Sequence, residues 1–124
     1  MVQEPLVECA FFIPERRDKN LSDGELHHAE AWEWLDNQLY AEFGAGTTAP
    51  GLYKGFYRDP DTKERVDDQS YKFIIAVPKS SFDRLRGMLA LAGVVFEQKF
   101  IYLSIAGQVE FVRRADHETN GSLH

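Results

Sequence analysis

Two runs of β-forming residues constrain this chain most. Leu6 to Ile13 and Gln69 to Val77 both read as strands rich in β-formers. In the first, Val7, Cys9, Phe11 and Ile13 share one face, and Leu6, Glu8, Ala10 and Phe12 share the other. In the second, Tyr71, Phe73, Ile75 and Val77 oppose Lys72, Ile74 and Ala76. Each run is closed by a proline, Pro14 and Pro78, which cannot donate to a sheet ladder. Leu52 to Arg58, Phe96 to Ile105 and Val109 to Arg113 supply three further strands. The turn before the last is expected at Gly107-Gln108, with glycine at its first central position. Asp59-Pro60-Asp61-Thr62 reads as a turn with proline at its second position.

Helical periodicity occupies the gaps. Ser22 with Glu25 has the spacing of a capping box, and Leu21 and Leu26 flank it as a staple. A helix from Asp23 to Phe43 follows, with Gly44 as its C-terminal cap. Its apolar face carries His28, Ala31, Trp32, Leu35, Leu39 and Phe43. Its opposite face carries Asp23, His27, Glu30, Glu33, Trp34 and Asn37. A second helix is capped by Ser80, buries Phe82, Leu85, Met88, Leu89 and Ala92, and ends at Gly93. The order strand, helix, strand, strand, helix, strand, strand defines an α+β sandwich. We expect a ferredoxin-like βαββαβ arrangement with an extra C-terminal strand and both helices on one sheet face. Residues 1–114 form this single domain, and 115–124 form a flexible polar tail. The 124 residues, 44% hydrophobic and 27% charged, fit one globular unit.

Charge is segregated. No lysine or arginine lies between Lys19 and Lys54, whereas six acids do. The remaining fourteen acids balance the fourteen basic residues, so the net charge of −6 belongs to the first helix and its approaches. Such a surface repels phosphate backbones and suits a basic protein partner, so nucleic acid is not expected as a partner. An outward Trp34 ringed by Glu30, Glu33, His27 and Asn37 would be the anchor for that partner. The leading functional expectation is therefore a non-enzymatic protein-interaction module.

The alternative lies on the sheet face that the helices leave open. Glu8, Lys72 and Tyr102 are the candidate acid/base groups there, and Tyr53, Tyr57 and Gln98 are candidate pocket residues. A small enzyme or a small-ligand sensor would use them. This face is too apolar for water alone, so a homodimer packed sheet on sheet is expected.

Other motifs carry less. Glu25 and His28 have the i, i+3 spacing of one half of a di-metal carboxylate site, but no second pair accompanies them. No metal and no cofactor is expected. Gly44 to Gly51 lacks the Gly-Lys-Ser/Thr ending of a phosphate loop. Lys54-Gly55-Phe56 begins like an RNA-binding strand signature, but Tyr57, Arg58 and Asp59 depart from it. Asp67 and Asp68 read as a solvated hairpin base, and Cys9 as an inert core thiol. The most apolar uncharged run, Gly87 to Phe96, has ten residues, about half a membrane span. The N-terminal Glu4 and Glu8 do not suit a signal peptide, and one cysteine allows no intrachain disulfide, so a cytoplasmic location is expected.

Val66, Ser70 and Lys72 to Val77, followed by Phe96 to Lys99 and the closing Val109 and Phe111, resemble a family of small bacterial proteins of unknown function. The resemblance implies a ferredoxin-like arrangement and brings no catalytic residues with it. The element order also resembles that of the dimeric α+β barrels, which include small monooxygenases and isomerases, by topology alone.

Overall fold

The computed structural model describes residues 4–115. One antiparallel sheet of six strands carries two helices on one face. Strand β1 (Leu6–Pro14) lies at its centre, between β4 (Arg65–Pro78) and β5 (Phe100–Ile105). Strand β6 (Gln108–Arg113) closes the edge beyond β5. The far edge of β4 is shared by β3 (Tyr53–Arg58) and the two-residue β2 (Thr47–Thr48). The path β3-β4-β1-β5 is the expected ferredoxin-like core, and β6 is the expected extra strand.

Register follows from burial. Leu6↔Pro78 through Pro14↔Ser70 pair along all nine residues of β1. This brings Cys9, Phe11 and Ile13 level with Ile75, Phe73 and Tyr71 on the helix-covered face. Phe11 stacks on Phe73 with ring centroids 5.1 Å apart. Leu35 and Leu39 from α1 (Ala29–Phe43), and Leu85, Leu89 and Ala92 from α2 (Phe82–Val95), complete the core. Trp32 packs edge-on to Tyr71 and over Phe96, as its apolar-face position implied.

Several boundaries differ from the expectation, each for a local reason. Helix α1 starts at Ala29, not Asp23. The N–H groups that a capping box would use are taken elsewhere, Ser22 donating to the Asp18 carbonyl and Glu25 to the Asp23 carboxylate, and the segment is gathered by Arg17. Its guanidinium holds the Asp23 carboxylate at 2.6 and 3.0 Å and donates to the Leu26 carbonyl. Its own N–H donates to the Glu25 carbonyl, and Gly24 sits at a φ of 75°, outside the helical basin. Gly44 does cap the C-terminus, at a φ of 72° with its N–H directed to Leu39 and Tyr40.

Ser80 does not cap α2. It lies in a short 3₁₀ turn (Lys79–Ser81), and its N–H and hydroxyl both donate to the Glu4 carboxylate. The final hairpin turns one residue earlier than expected. Ile105 pairs with Gln108, so Ala106 and Gly107 form the two-residue loop, both at positive φ as a type I′ turn needs. Ala115 donates to the Ala90 carbonyl and so belongs to the domain, and the rest of the expected tail lies outside the described residues.

Gly93 lies inside α2, which runs on to Val95. A Cβ there would stand 2.8 and 2.9 Å from Cβ and Cα of Arg114 and 3.3 Å from the Gln98 carbonyl oxygen. The glycine lets the chain leaving β6 cross the helix. Gly93→Ala is therefore expected to destabilise the fold by about 2 kcal/mol. Urea unfolding checks this, and a variant as stable as the parent would refute the close crossing.

Candidate functional site

The second sheet face divides into two parts. At one end Leu6, Glu8 and Ala76 are exposed on a bare surface. At the other, alternate residues of five strands converge on aromatic rings. Phe12 on β1 lies edge-on to Tyr53 of β3 and to Tyr102 of β5, at centroid distances of 5.6 and 5.2 Å. Tyr57 meets Phe100 at 5.5 Å, and Phe111 of β6 meets Phe100 at 5.0 Å and Tyr102 at 5.8 Å. The rings stand edge to face and leave a cavity of about 400 Å³ between them. That volume is in the range of a small-molecule site.

The cavity's polar groups are few. Gln98 is buried at its wall, and its Nε2 donates to the carbonyls of Arg16 and Phe96 at 2.8 and 2.9 Å. Ser70 is buried opposite Tyr53. Asp68 stands opposite Gly55 on β3, and a Cβ at position 55 would come within 3.3 Å of its Oδ1. The glycine leaves room for a carboxylate at the cavity wall. Among the described residues Asp68 has no side-chain hydrogen bond and no ion pair. Burial, together with neighbouring Asp67, raises its carboxyl above the ordinary 3.8. Burial also raises the Tyr57 phenol, aided by the charges of Asp18, Asp68 and Asp59, so this ring stays a neutral donor.

The open-face candidates are thus partly assembled. Tyr53, Tyr57, Tyr102 and Gln98 do line one cavity. Lys72 stands beside it, its ammonium 5.9 and 5.8 Å from the Phe12 and Tyr53 rings. Glu8 is not with them. It pairs with Ala76, whereas Lys72 pairs with Phe12, which puts about 13 Å of strand between the two. The expected Glu8–Lys72 acid/base pair does not form. Asp68, which the sequence placed at a solvated hairpin base, is the carboxylate of the cavity, because β4 starts at Arg65 rather than Gln69.

The acidic surface is also only partly as expected. Glu30, Glu33 and Asn37 are exposed on α1. Trp34 is half-buried and packs on the core, 6.4 Å from the Phe96 ring. His27 precedes the helix and is wedged edge-on between Trp32 and Phe96. Its Nε2 lies 2.8 Å from the Pro14 carbonyl, which only accepts, so that nitrogen carries the proton. Burial lowers its pKa. His28, expected on the apolar face, is the exposed N-cap residue of α1, so Glu25 and His28 share no helix. No cluster of three metal-ligating side chains occurs among the described residues, and no described helix is long and apolar enough to cross a membrane.

Beyond the cavity rim, Asp59 is fully buried in the β3–β4 turn. It accepts from the N–H groups of Asp61 and Thr62, from Asn20 Nδ2 and from the Lys99 ammonium. These bonds hold its carboxyl far below 3.8, the two turn N–H groups foremost. A carboxyl depressed in the fold stabilises it fully above that ordinary value and loses its contribution as pH falls through and below it. Asp23, held at about 2 chiefly by Arg17, acts in the same direction. Asp59→Asn should lower the thermal midpoint at pH 7, with the gap to the parent narrowing below pH ~3. Parallel pH profiles would contradict it.

No family model matches this chain, and no curated protein matches it in sequence. Two solved structures share its fold. One is a phage SAM lyase in complex with S-methyl-5'-thioadenosine, with a TM-score of 0.66 and 12% identity, covering 91% of this chain and 93% of that one. The other is a phage SAM lyase in the apo state, with a TM-score of 0.60 and 12% identity, covering 94% and 95%.

Proposed function

We propose that the protein is a small enzyme whose pocket is the aromatic cavity of the open sheet face. Its substrate is a nucleoside sulfonium of the S-adenosylmethionine type. The observation that carries this reading is Asp68, a half-buried carboxylate with no hydrogen-bond or ion-pair partner among the described residues, facing a cavity walled by tyrosine and phenylalanine. Aromatic faces stack on a purine and attract a sulfonium cation. A carboxylate in a desolvated wall counters that cation more strongly than it would in water. The shared fold with a SAM lyase supports the same class. Loss of methylthioadenosine from such a substrate breaks the bond between sulfur and the amino-acid chain: the electron pair stays on sulfur as a neutral thioether, and an oxygen of the substrate's own carboxylate bonds the carbon that sulfur leaves, closing a lactone. Groups that hold the cation in a fixed conformation, away from water, serve that step by positioning.

A second copy of the chain would cover the exposed Phe56, Val109 and Phe111 around the sheet edges, and we expect a homo-oligomer in solution. The interaction-module reading has weaker support. The acidic helix keeps its charge, but Trp34 is half-buried against the core and offers only part of its surface to a partner.

Incubation with S-adenosylmethionine, followed by chromatography of the nucleosides, tests the proposal. Methylthioadenosine is expected to appear faster than in a protein-free control, and Asp68→Asn should slow it at least ~10-fold, the cost of about one charge-assisted contact. Asp68 carries charge only above its raised pKa, so affinity for the cation should rise with pH through that value and stay flat in the variant. Unchanged substrate together with no detectable methylthioadenosine binding would overturn the reading.

A further inference from the structure

A second cleft, of about 220 Å³, opens beside the aromatic cavity. The two share Pro14, Tyr57, Asp68 and Gln98 as a common wall. They differ in chemistry. The first is lined mostly by rings, with Lys54, Asp68, Ser70 and Gln98 among them, whereas the second is bounded by the loop after β1, which brings Glu15, Arg16, Arg17, Asp18 and Lys19 to the same cleft as Asp67 and Asp68.

The charges here are not all free. Arg17 is committed to Asp23, to the Leu26 carbonyl and, at 3.7 Å, to Glu97. Asp67 is paired with Arg65 at 3.0 Å. Among the described residues, Arg16, Lys19 and Asp68 have no ion-pair partner. Two unpaired cations therefore line one side of the cleft, and an unpaired carboxylate stands on the partition. The loop that carries the cations is fixed. Gln98 donates to the Arg16 carbonyl, and the N–H groups of Arg17 and Asp18 donate to Glu25 and Glu97.

We infer that this cleft seats the amino-acid end of the substrate, with Arg16 and Lys19 receiving its α-carboxylate and Asp68 its α-ammonium. The inference rests on the reading of the aromatic cavity as a nucleoside site. A zwitterion joined to a nucleoside through sulfur matches an apolar cavity and a charged cleft that meet at one carboxylate. The same division makes the cleft a specificity determinant. A nucleoside without the amino-acid end fills only the first compartment.

Calorimetric titration with S-adenosylhomocysteine and with methylthioadenosine separates the compartments, since only the former carries the zwitterionic end. The parent protein is expected to bind S-adenosylhomocysteine at least ~10-fold more tightly, the worth of about one charge-assisted contact. Arg16→Ala combined with Lys19→Ala should cut that preference by at least ~5-fold, the Asp68 contact to the α-ammonium remaining, while leaving methylthioadenosine affinity unchanged. That unchanged affinity also reports an intact fold. The inference fails if the parent shows no preference, if the double variant keeps the preference, or if it weakens both ligands alike. In each of those cases the parent still binds methylthioadenosine and the nucleoside site survives. If the parent binds neither ligand, the nucleoside reading falls as well.

Discussion

The pairing of β1 with β4 over nine residues is the constraint on which the rest depends. A ladder that long fixes which side of every residue faces the helices, because a slip of one would turn each side chain over. Burial of Phe11 and Phe73 on one face therefore settles the position of Phe12, Lys72 and Asp68 on the other. The outer edge of β4 then sets the register of β3, and that of β1 sets β5 and β6. Core and cavity are two consequences of one alignment.

Electrostatics finish what the ladder starts. The strand ends near the cavity are tied by Asp59, which joins the β3–β4 turn to Asn20 and Lys99, and by Arg17, which gathers the segment after β1. Burying Asp59 is tolerable because its carboxylate oxygens are met by N–H groups and an ammonium. Both clefts border on segments held by these bonds. Their walls are thus set by hydrogen bonds formed during folding, which lowers the ordering cost of binding a ligand.

Much of this was legible in the sequence. Period-two alternation identified the strands and their core faces, and helical periodicity gave the stripes of both helices. The tyrosines and Gln98 of the cavity followed from the open face. What was not legible depended on long-range competition. Arg17 captures Asp23 from six residues upstream and so draws the segment after Ser22 out of the expected helix, and no local rule shows that. Trp34 is half-buried because Phe96, far along the chain, offers it a ring to pack on. Asp68 was missed because β4 extends to Arg65, a length that alternation broken by Asp67-Asp68-Gln69 conceals. Glu8 and Lys72 share a face, but only the register shows how far apart they stand.

The division of labour between the two sheet faces has an evolutionary consequence. Phe12 and Phe11 are neighbours in sequence, yet one contacts the cavity and the other the core. Substitution at every second position of β1, β3, β4, β5 and β6 can therefore reshape the pocket while the packing beneath it is preserved. A chain built this way can drift to a new ligand without passing through an unfolded ancestor. Two such chains can retain one architecture long after their sequences have ceased to resemble each other.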